Sequence, residues 1–144
     1  MSEIKRTLEW FKQAMPEPTH EQACIQVGCH YEEVSEMMEV LVDDEVGLDV
    51  ELLAKSYKEL GSEHVDFACC LDPQEREQLL DSLADQIVTA IGVCHTMGFD
   101  IEGALAEVNR SNFSKFEDGT AVFDENGKIA KCENYSKPDL KPYI

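Results

Sequence analysis

Five acidic residues in two clusters are the best candidates for chemistry in this chain. Glu32, Glu33 and Glu36 lie in the run Glu32-Glu33-Val34-Ser35-Glu36, and Asp81 and Asp85 follow later. On a helix, side chains three or four apart share a face, so Glu33 can converge with Glu36 and Asp81 with Asp85. Such oxygen sets suit a hard divalent cation, Mg²⁺ above all, that keeps water and open positions for phosphate oxygens. A cation so held would neutralise a triphosphate, position a water and stabilise charge on the attacked phosphorus, and a carboxylate left free of metal could serve as general base. The bland reading of the first cluster is a solvated face, because glutamate-rich helices are common. The second cluster lies in a strongly apolar stretch, where two aspartates are costly unless paired or metal-bound.

The elements that must position these acids follow from periodicity and caps. Thr19 to Gln22 reads as a capping box, and the helix it opens carries Cys24, Val27, Tyr31, Val34, Met38 and Leu41 at spacings of three and four, the core seam of a bundle helix. Glu32, Glu36 and Glu33 fall opposite that seam, bordered by Ile25, Cys29, Met37 and Val40, so they are expected to face a cleft or a subunit interface. Asp72-Pro73-Gln74-Glu75 supplies a cap, a first-turn proline and the returning glutamate of a second capping box. The helix it launches is expected to end at Met97, before Gly98. Leu79, Leu83, Ile87, Ala90, Cys94 and Met97, widened by Ala84, Val88 and Ile91, predict an almost completely buried element, with Asp81 and Asp85 on the remaining stripe.

Other segments complete the frame. Ser2 to about Met15 reads as an amphipathic helix burying Ile4, Leu8, Phe11 and Met15, with Trp10 off the stripe as partial core or an oligomer contact rather than a stacking platform for a base. A third helix is expected from about Val50 to Leu60, stopped by Gly61, with a short helical stretch around Val65 to Cys70. Asp100 caps a further helix to about Asn109. The Asn126-Gly127 pair between Thr120–Phe123 and Lys128–Lys131 predicts a β-hairpin. The tail from Ser136 is expected to lie extended over the body or over a partner subunit.

The 144 residues suit one domain. Thirty acidic residues against twelve basic ones give a charge of −18, which repels a nucleic-acid backbone or an anionic membrane surface. Six cysteines without a CxxC pair read as reduced, mostly buried thiols, and no segment resembles a signal peptide or a membrane span, so a cytoplasmic protein is expected. His20, His30, His64 and His95 share no metal spacing. Glu17-Pro18-Thr19-His20 contains a proline and straddles a helix start, so it cannot present a di-iron ExxH face. Phosphate-binding loops, dinucleotide glycine patterns and nucleophile elbows are absent.

In their order, Glu32-Glu33-Val34-Ser35-Glu36 and Leu83-Ala84-Asp85 resemble the EExxE and ExxD signature of the MazG-like all-α nucleoside triphosphate pyrophosphohydrolases. The stretch from Asp81 to Leu140 is similar to the phosphoribosyl-ATP pyrophosphohydrolase-like branch of that superfamily. Gly98-Phe99-Asp100, the run from Glu107 through Asn112 to Lys115, Asn126-Gly127-Lys128 and Pro138-Asp139-Leu140 carry that similarity. The resemblance implies Mg²⁺-dependent cleavage of the α–β bond of a nucleoside triphosphate, releasing a monophosphate and pyrophosphate. It implies Glu33, Glu36 and Asp85 as metal ligands, Glu32 as a base or outer-shell acid, and Asn109, Arg110, Asn112 and Lys115 as phosphate contacts. The chain departs from the signature at Ser82, where ExxD has its glutamate, and Asp81 is the nearest substitute.

These readings predict an all-α fold over residues 1–144. A four-helix core is joined by short extra helices, a C-terminal β-hairpin and an extended tail from about residue 117 to 144. The expected activity is Mg²⁺-dependent pyrophosphohydrolysis of nucleoside or deoxynucleoside triphosphates, with Mn²⁺ a possible substitute, serving nucleotide-pool house-cleaning. The expected partners are the nucleotide and the chain itself, as homodimer or dimer of dimers. The alternatives are a noncatalytic helical interaction protein with a degenerate metal site, and phosphoribosyl-ATP hydrolysis.

Overall fold

Capping chemistry sets the helix starts. The computed structural model describes residues 1–42, 44–60, 64 and 70–144, with backbone alone at 44–46. The chain is mainly helical, with one small antiparallel hairpin. It divides into two compact units: Met1–Glu17 with Asp72–Asp124 and Ile129–Ile144, and Pro18–Leu71 with Glu125–Lys128.

The second of these units is built on a helix pair, α2 (His20–Leu41) and α3 (Asp44–Lys58). The Thr19 hydroxyl accepts from the Gln22 amide while the Gln22 side chain accepts from the Thr19 amide, completing the capping box. The residues that pack against α3 are small: Cys24 and Gly28 are buried, and the buried Ser35 donates to the Gly47 carbonyl at 3.0 Å. A Cβ on Gly28 would lie 2.7 Å from the Ala54 carbonyl oxygen, so the glycine permits a close approach of the two helices. The expected seam holds in part: Cys24 is buried and Val27, Tyr31, Val34 and Met38 are half-buried, but Leu41 is 63% exposed, and the contact also takes in Gly28 and Ser35. Small residues, glycine and serine, take buried places beside that apolar stripe. The α3 helix begins earlier than expected; its stop at Gly61 and the stretch 65–69 lie outside the described residues. The turn Glu125–Lys128 joins this unit through Gly127, where φ is +73° and a Cβ would meet Ile25 Cδ1 at 2.7 Å.

In the other unit α1 (Glu3–Ala14) packs on α5 (Ile101–Phe113). Ser2 and Asp100 cap these helices. Here the buried stripe is not the most apolar one. Trp10 and Ala14 are buried, whereas Ile4 is 58% and Leu8 51% exposed. Trp10 is core: its indole N–H donates to the Asn112 carbonyl at 2.8 Å, and its ring stacks on Phe116 at 6.0 Å. The α5 helix continues to Phe113, past its expected end at Asn109.

Between them in sequence, α4 (Pro73–Met97) has the Asp72–Glu75 capping box and the left-handed Gly98 stop that its sequence predicts. Its expected burial is overturned: none of its residues is buried, and Leu80 and Val88 are 69% and 64% exposed. Apolar residues on several faces demand cover, and the described residues of this chain do not supply it along the helix.

The hairpin also differs from expectation. Strands β1 (Phe116–Glu117) and β2 (Thr120–Ala121) pair around Asp118-Gly119, both at positive φ. The Asn126-Gly127 turn closes only an isolated bridge, Phe123 with Ile129. The tail runs back along α5 of its own chain. The Ser136 amide donates to Ser114 Oγ, the Asp139 amide to Glu107, and the Asp100 amide to the Tyr143 carbonyl in the closing 3₁₀ turn Lys141–Tyr143. No described helix is long and apolar enough to cross a membrane.

Candidate functional site

Glu32, Glu33 and Glu36 lie on one α2 surface, and the structure sorts them by partner. Glu33 and Glu36 are exposed, while Glu32 is half-buried and held by two lysines. Lys58 Nζ, from the last turn of α3, lies 2.7 Å from Glu32 Oε1, and Lys128 Nζ, from the turn 125–128, lies 2.5 Å from Oε2. Burial opposes ionisation of Glu32, but the hydrogen bonds from Lys128 and Lys58 outweigh it and hold the carboxyl below its usual range. A carboxylate stabilised in this way is a weak proton acceptor, so the geometry argues against Glu32 as general base. Cys29, one turn before, has its thiol pushed up by burial, with Lys128, Glu32, Lys58 and Glu33 close enough to influence it.

Asp81 and Asp85 occupy successive turns of α4 with Glu77 one turn before, a line of acids at i, i+4 and i+8. All three are exposed, and among the described residues neither aspartate side chain has a hydrogen-bond or ion-pair partner. Asp81 lines a shallow groove with Gln74, Glu77 and Gln78. Ser82 is exposed on the same helix. Among the described residues no three histidine, cysteine, aspartate or glutamate side chains form a cation cage. The acids on α2 and those on α4 fall in different compact units.

The expected phosphate segment from Asn109 to Lys115 sorts by partner. Asn109 is 1% exposed, and its amide is committed to Thr7 and Glu3 of α1. Asn112 gives its carbonyl to Trp10. Arg110 is forked onto Glu107 and reaches the Ser136 and Lys137 carbonyls. Asn109, Arg110 and the Asn112 carbonyl thus tie α1 and the tail to α5. Lys115 lies over two rings, 5.7 Å from the Trp10 centroid and 6.0 Å from that of Tyr135, and Lys131 sits 5.1 Å from the same tyrosine. Lys115 of the segment and Lys131 from outside it thus bring two ammonium groups to one phenol ring, a grouping suited to an anion.

No family model, curated protein or solved structure matches the chain.

Sequence reasoning missed the Lys58–Glu32–Lys128 grouping. Nothing in the spacing of Lys58 pointed to it, because the α2–α3 approach at Gly28 sets where Lys58 emerges. Lys128 carries a weak signal in Asn126-Gly127-Lys128, since a lysine on a hairpin commonly serves solubility; its side chain is 36% exposed and turned onto Glu32. The cysteines are less buried than expected: of the described five, Cys24 is buried, Cys29, Cys94 and Cys132 are half-buried and Cys70 is exposed, all as free thiols. Cys69 lies outside the described residues.

Proposed function

We propose that the chain is a Mg²⁺-dependent pyrophosphohydrolase of nucleoside or deoxynucleoside triphosphates, built on a MazG-like all-α core and cleaving the α–β bond to give a monophosphate and pyrophosphate. The observation that carries this reading is the sorting of the signature acids. Glu32 is neutralised by lysines, whereas Asp81 and Asp85 stand one turn apart on α4 without a cationic partner among the described residues. Like charges at this spacing cost a few tenths of a kcal/mol per pair in water, and a bound dication converts that cost into attraction.

The candidate donors are all oxygen, the kind a hard cation takes, and within its own unit each pair, Glu33 with Glu36 on α2 and Asp81 with Asp85 on α4, would offer carboxylates to magnesium. When bound, the metal supplies charge neutralisation of the triphosphate and acidifies a coordinated water. Proton acceptance from the attacking water would fall to whichever of Glu33 and Glu36 is left free of metal, rather than to Glu32. Lys115 and Lys131 hold phosphate oxygens from their places on Tyr135. Self-association as a homodimer or dimer of dimers would cover α4.

The test is a nucleotide panel with Mg²⁺ or Mn²⁺ and identified products, phosphoribosyl-ATP included to separate that narrower activity. Monophosphate and pyrophosphate are expected, and both Glu36→Gln and Asp85→Asn should abolish turnover with the fold intact. The exposed apolar residues of α4 favour a second reading, a noncatalytic helical interaction protein. Absence of turnover with either metal, together with partner binding that survives Glu36→Gln, would select it.

A further inference from the structure

The Glu32 grouping concentrates positive charge in the unit with the least of it. Pro18–Leu71 and Glu125–Lys128 together hold three basic residues against fourteen acidic ones, a net charge of −11. Lys55 pairs with Glu59 on the exposed surface of α3 at 3.7 Å. The other two, Lys58 and Lys128, both meet Glu32, so this trio carries +1 while the rest of the unit carries −12. One lysine would neutralise Glu32. A second adds ammonium–ammonium repulsion and the rotamer entropy of another fixed long side chain.

The fold, and not Glu32 alone, sets the place of both lysines. The Lys58 stem packs where a Cβ on Gly28 would come within 2.7 Å of its Cγ, and the turn bearing Lys128 is seated on Ile25 through Gly127. The side chains of Lys58, Lys128 and Glu32 keep 19%, 36% and 31% of their surface, so the grouping is partly open to solvent. Two ammonium groups converging on the two oxygens of one carboxylate are also placed to receive two oxygens of a phosphate, which lysine binds as a point charge.

We propose that Lys58 and Lys128 form a polyphosphate-binding subsite in which phosphate oxygens of the substrate exchange with the Glu32 carboxylate. The identity of the ligand as a nucleotide rests on the pyrophosphohydrolase reading; the subsite itself requires only a condensed phosphate. Glu32 is then a positioning residue that keeps the lysines converged until phosphate arrives.

Calorimetric titration of the full chain with inorganic pyrophosphate and Mg²⁺ tests this. Lys58→Gln and Lys128→Gln should each weaken binding by about tenfold or more, the loss of one charged hydrogen bond. Lys58→Arg and Lys128→Arg should retain it. Glu32→Gln should bind as tightly as the wild type or more tightly, since it removes a competitor for the same ammonium groups. Circular dichroism checks the fold, and if Lys58→Gln does not fold, Lys128→Gln decides alone. Three results each overturn the subsite: no pyrophosphate binding by the wild type, unchanged binding in the lysine variants, or equal weakening in Glu32→Gln and the lysine variants. Nucleotide turnover is scored separately. Lysine-dependent pyrophosphate binding without turnover retains the subsite and rejects the enzyme; turnover with lysine-independent binding does the reverse.

Discussion

Asn109 accepts a hydrogen bond from Thr7 Oγ1 at 2.8 Å and donates from its amide to Glu3, at 3.1 Å to the carbonyl and 2.9 Å to the carboxylate. A single buried side chain thereby fastens α5 to α1. Asn109→Ala should destabilise the protein by about 2–3 kcal/mol, because it opens a cavity and strips partners from polar groups of low exposure. The measurement is a lower denaturation midpoint at unchanged slope. Wild-type stability with a raised KM would instead return Asn109 to the phosphate-contacting set.

Gly28 and Gly92 make a matched pair for helix packing. An alanine in place of a helical glycine ordinarily gains up to about 1 kcal/mol. At Gly92 nothing among the described residues lies within 4 Å of the added Cβ, so Gly92→Ala should raise the melting temperature. At Gly28 the same Cβ would sit 2.7 Å from both the Ala54 carbonyl oxygen and Lys58 Cγ. The helices must part to admit it, at about 1–3 kcal/mol, so Gly28→Ala should lower the melting temperature. A rise in both variants would mean that α2 and α3 do not approach this closely.

What was legible in the sequence was the local chemistry. Thr19 with Gln22, Asp72 with Glu75, and Gly98 mark helix ends because a cap needs only residues within one turn. The buried faces were legible only in part, since hydrophobic periodicity favours Ile4, Leu8 and Leu41, while close packing selects Ala14, Gly28 and Ser35, residues that carry little hydrophobic signal. Asp118-Gly119 and Asn126-Gly127 both have the composition of a tight turn; what separates them is strand pairing, which only the first has beyond a single bridge. In the candidate site, the spacing of the acids showed which share a face. It could not show that two lysines distant in sequence would claim Glu32, a long-range contact that exists only once α3 and the turn 125–128 are folded.

One carboxylate anchors the tail at Asp139. Glu107 accepts from Arg110 and from the Asp139 amide, and these bonds, Arg110 first, lower its pKa from 4.5 to about 2. A carboxyl with a depressed folded value contributes stability that is present above its unfolded pKa and lost as pH falls through the folded one. The tail contact should therefore persist at pH 4 and fail near pH 2. Glu107→Gln should release it at neutral pH, read as faster hydrogen exchange at Asp139 with the α1 and α5 amides unchanged. Equal protection in variant and wild type would show that Arg110 and Tyr143 suffice to hold the tail.

On α4 the face through Leu80, Leu83, Ile87 and Ile91 carries apolar side chains that are 69%, 39%, 52% and 43% exposed. Burial of such surface is worth about 25 cal/mol per Å², so a second copy laid on this helix would gain several kcal/mol if it covered a few hundred Å². Within one chain Ile87 is already 52% exposed, so Ile87→Asp should change monomer stability by no more than about 0.5 kcal/mol. In the assembly the same aspartate would be a buried unpaired charge. Sedimentation velocity should then show the wild type associated and the variant monomeric at equal concentration. Because α4 also bears Asp81 and Asp85, the two properties can be separated: Ile87→Asp tests the assembly, and Asp85→Asn should abolish turnover without changing the sedimentation coefficient. A monomeric wild type that still hydrolyses nucleotides would leave the catalytic proposal standing and remove the partner copy from it.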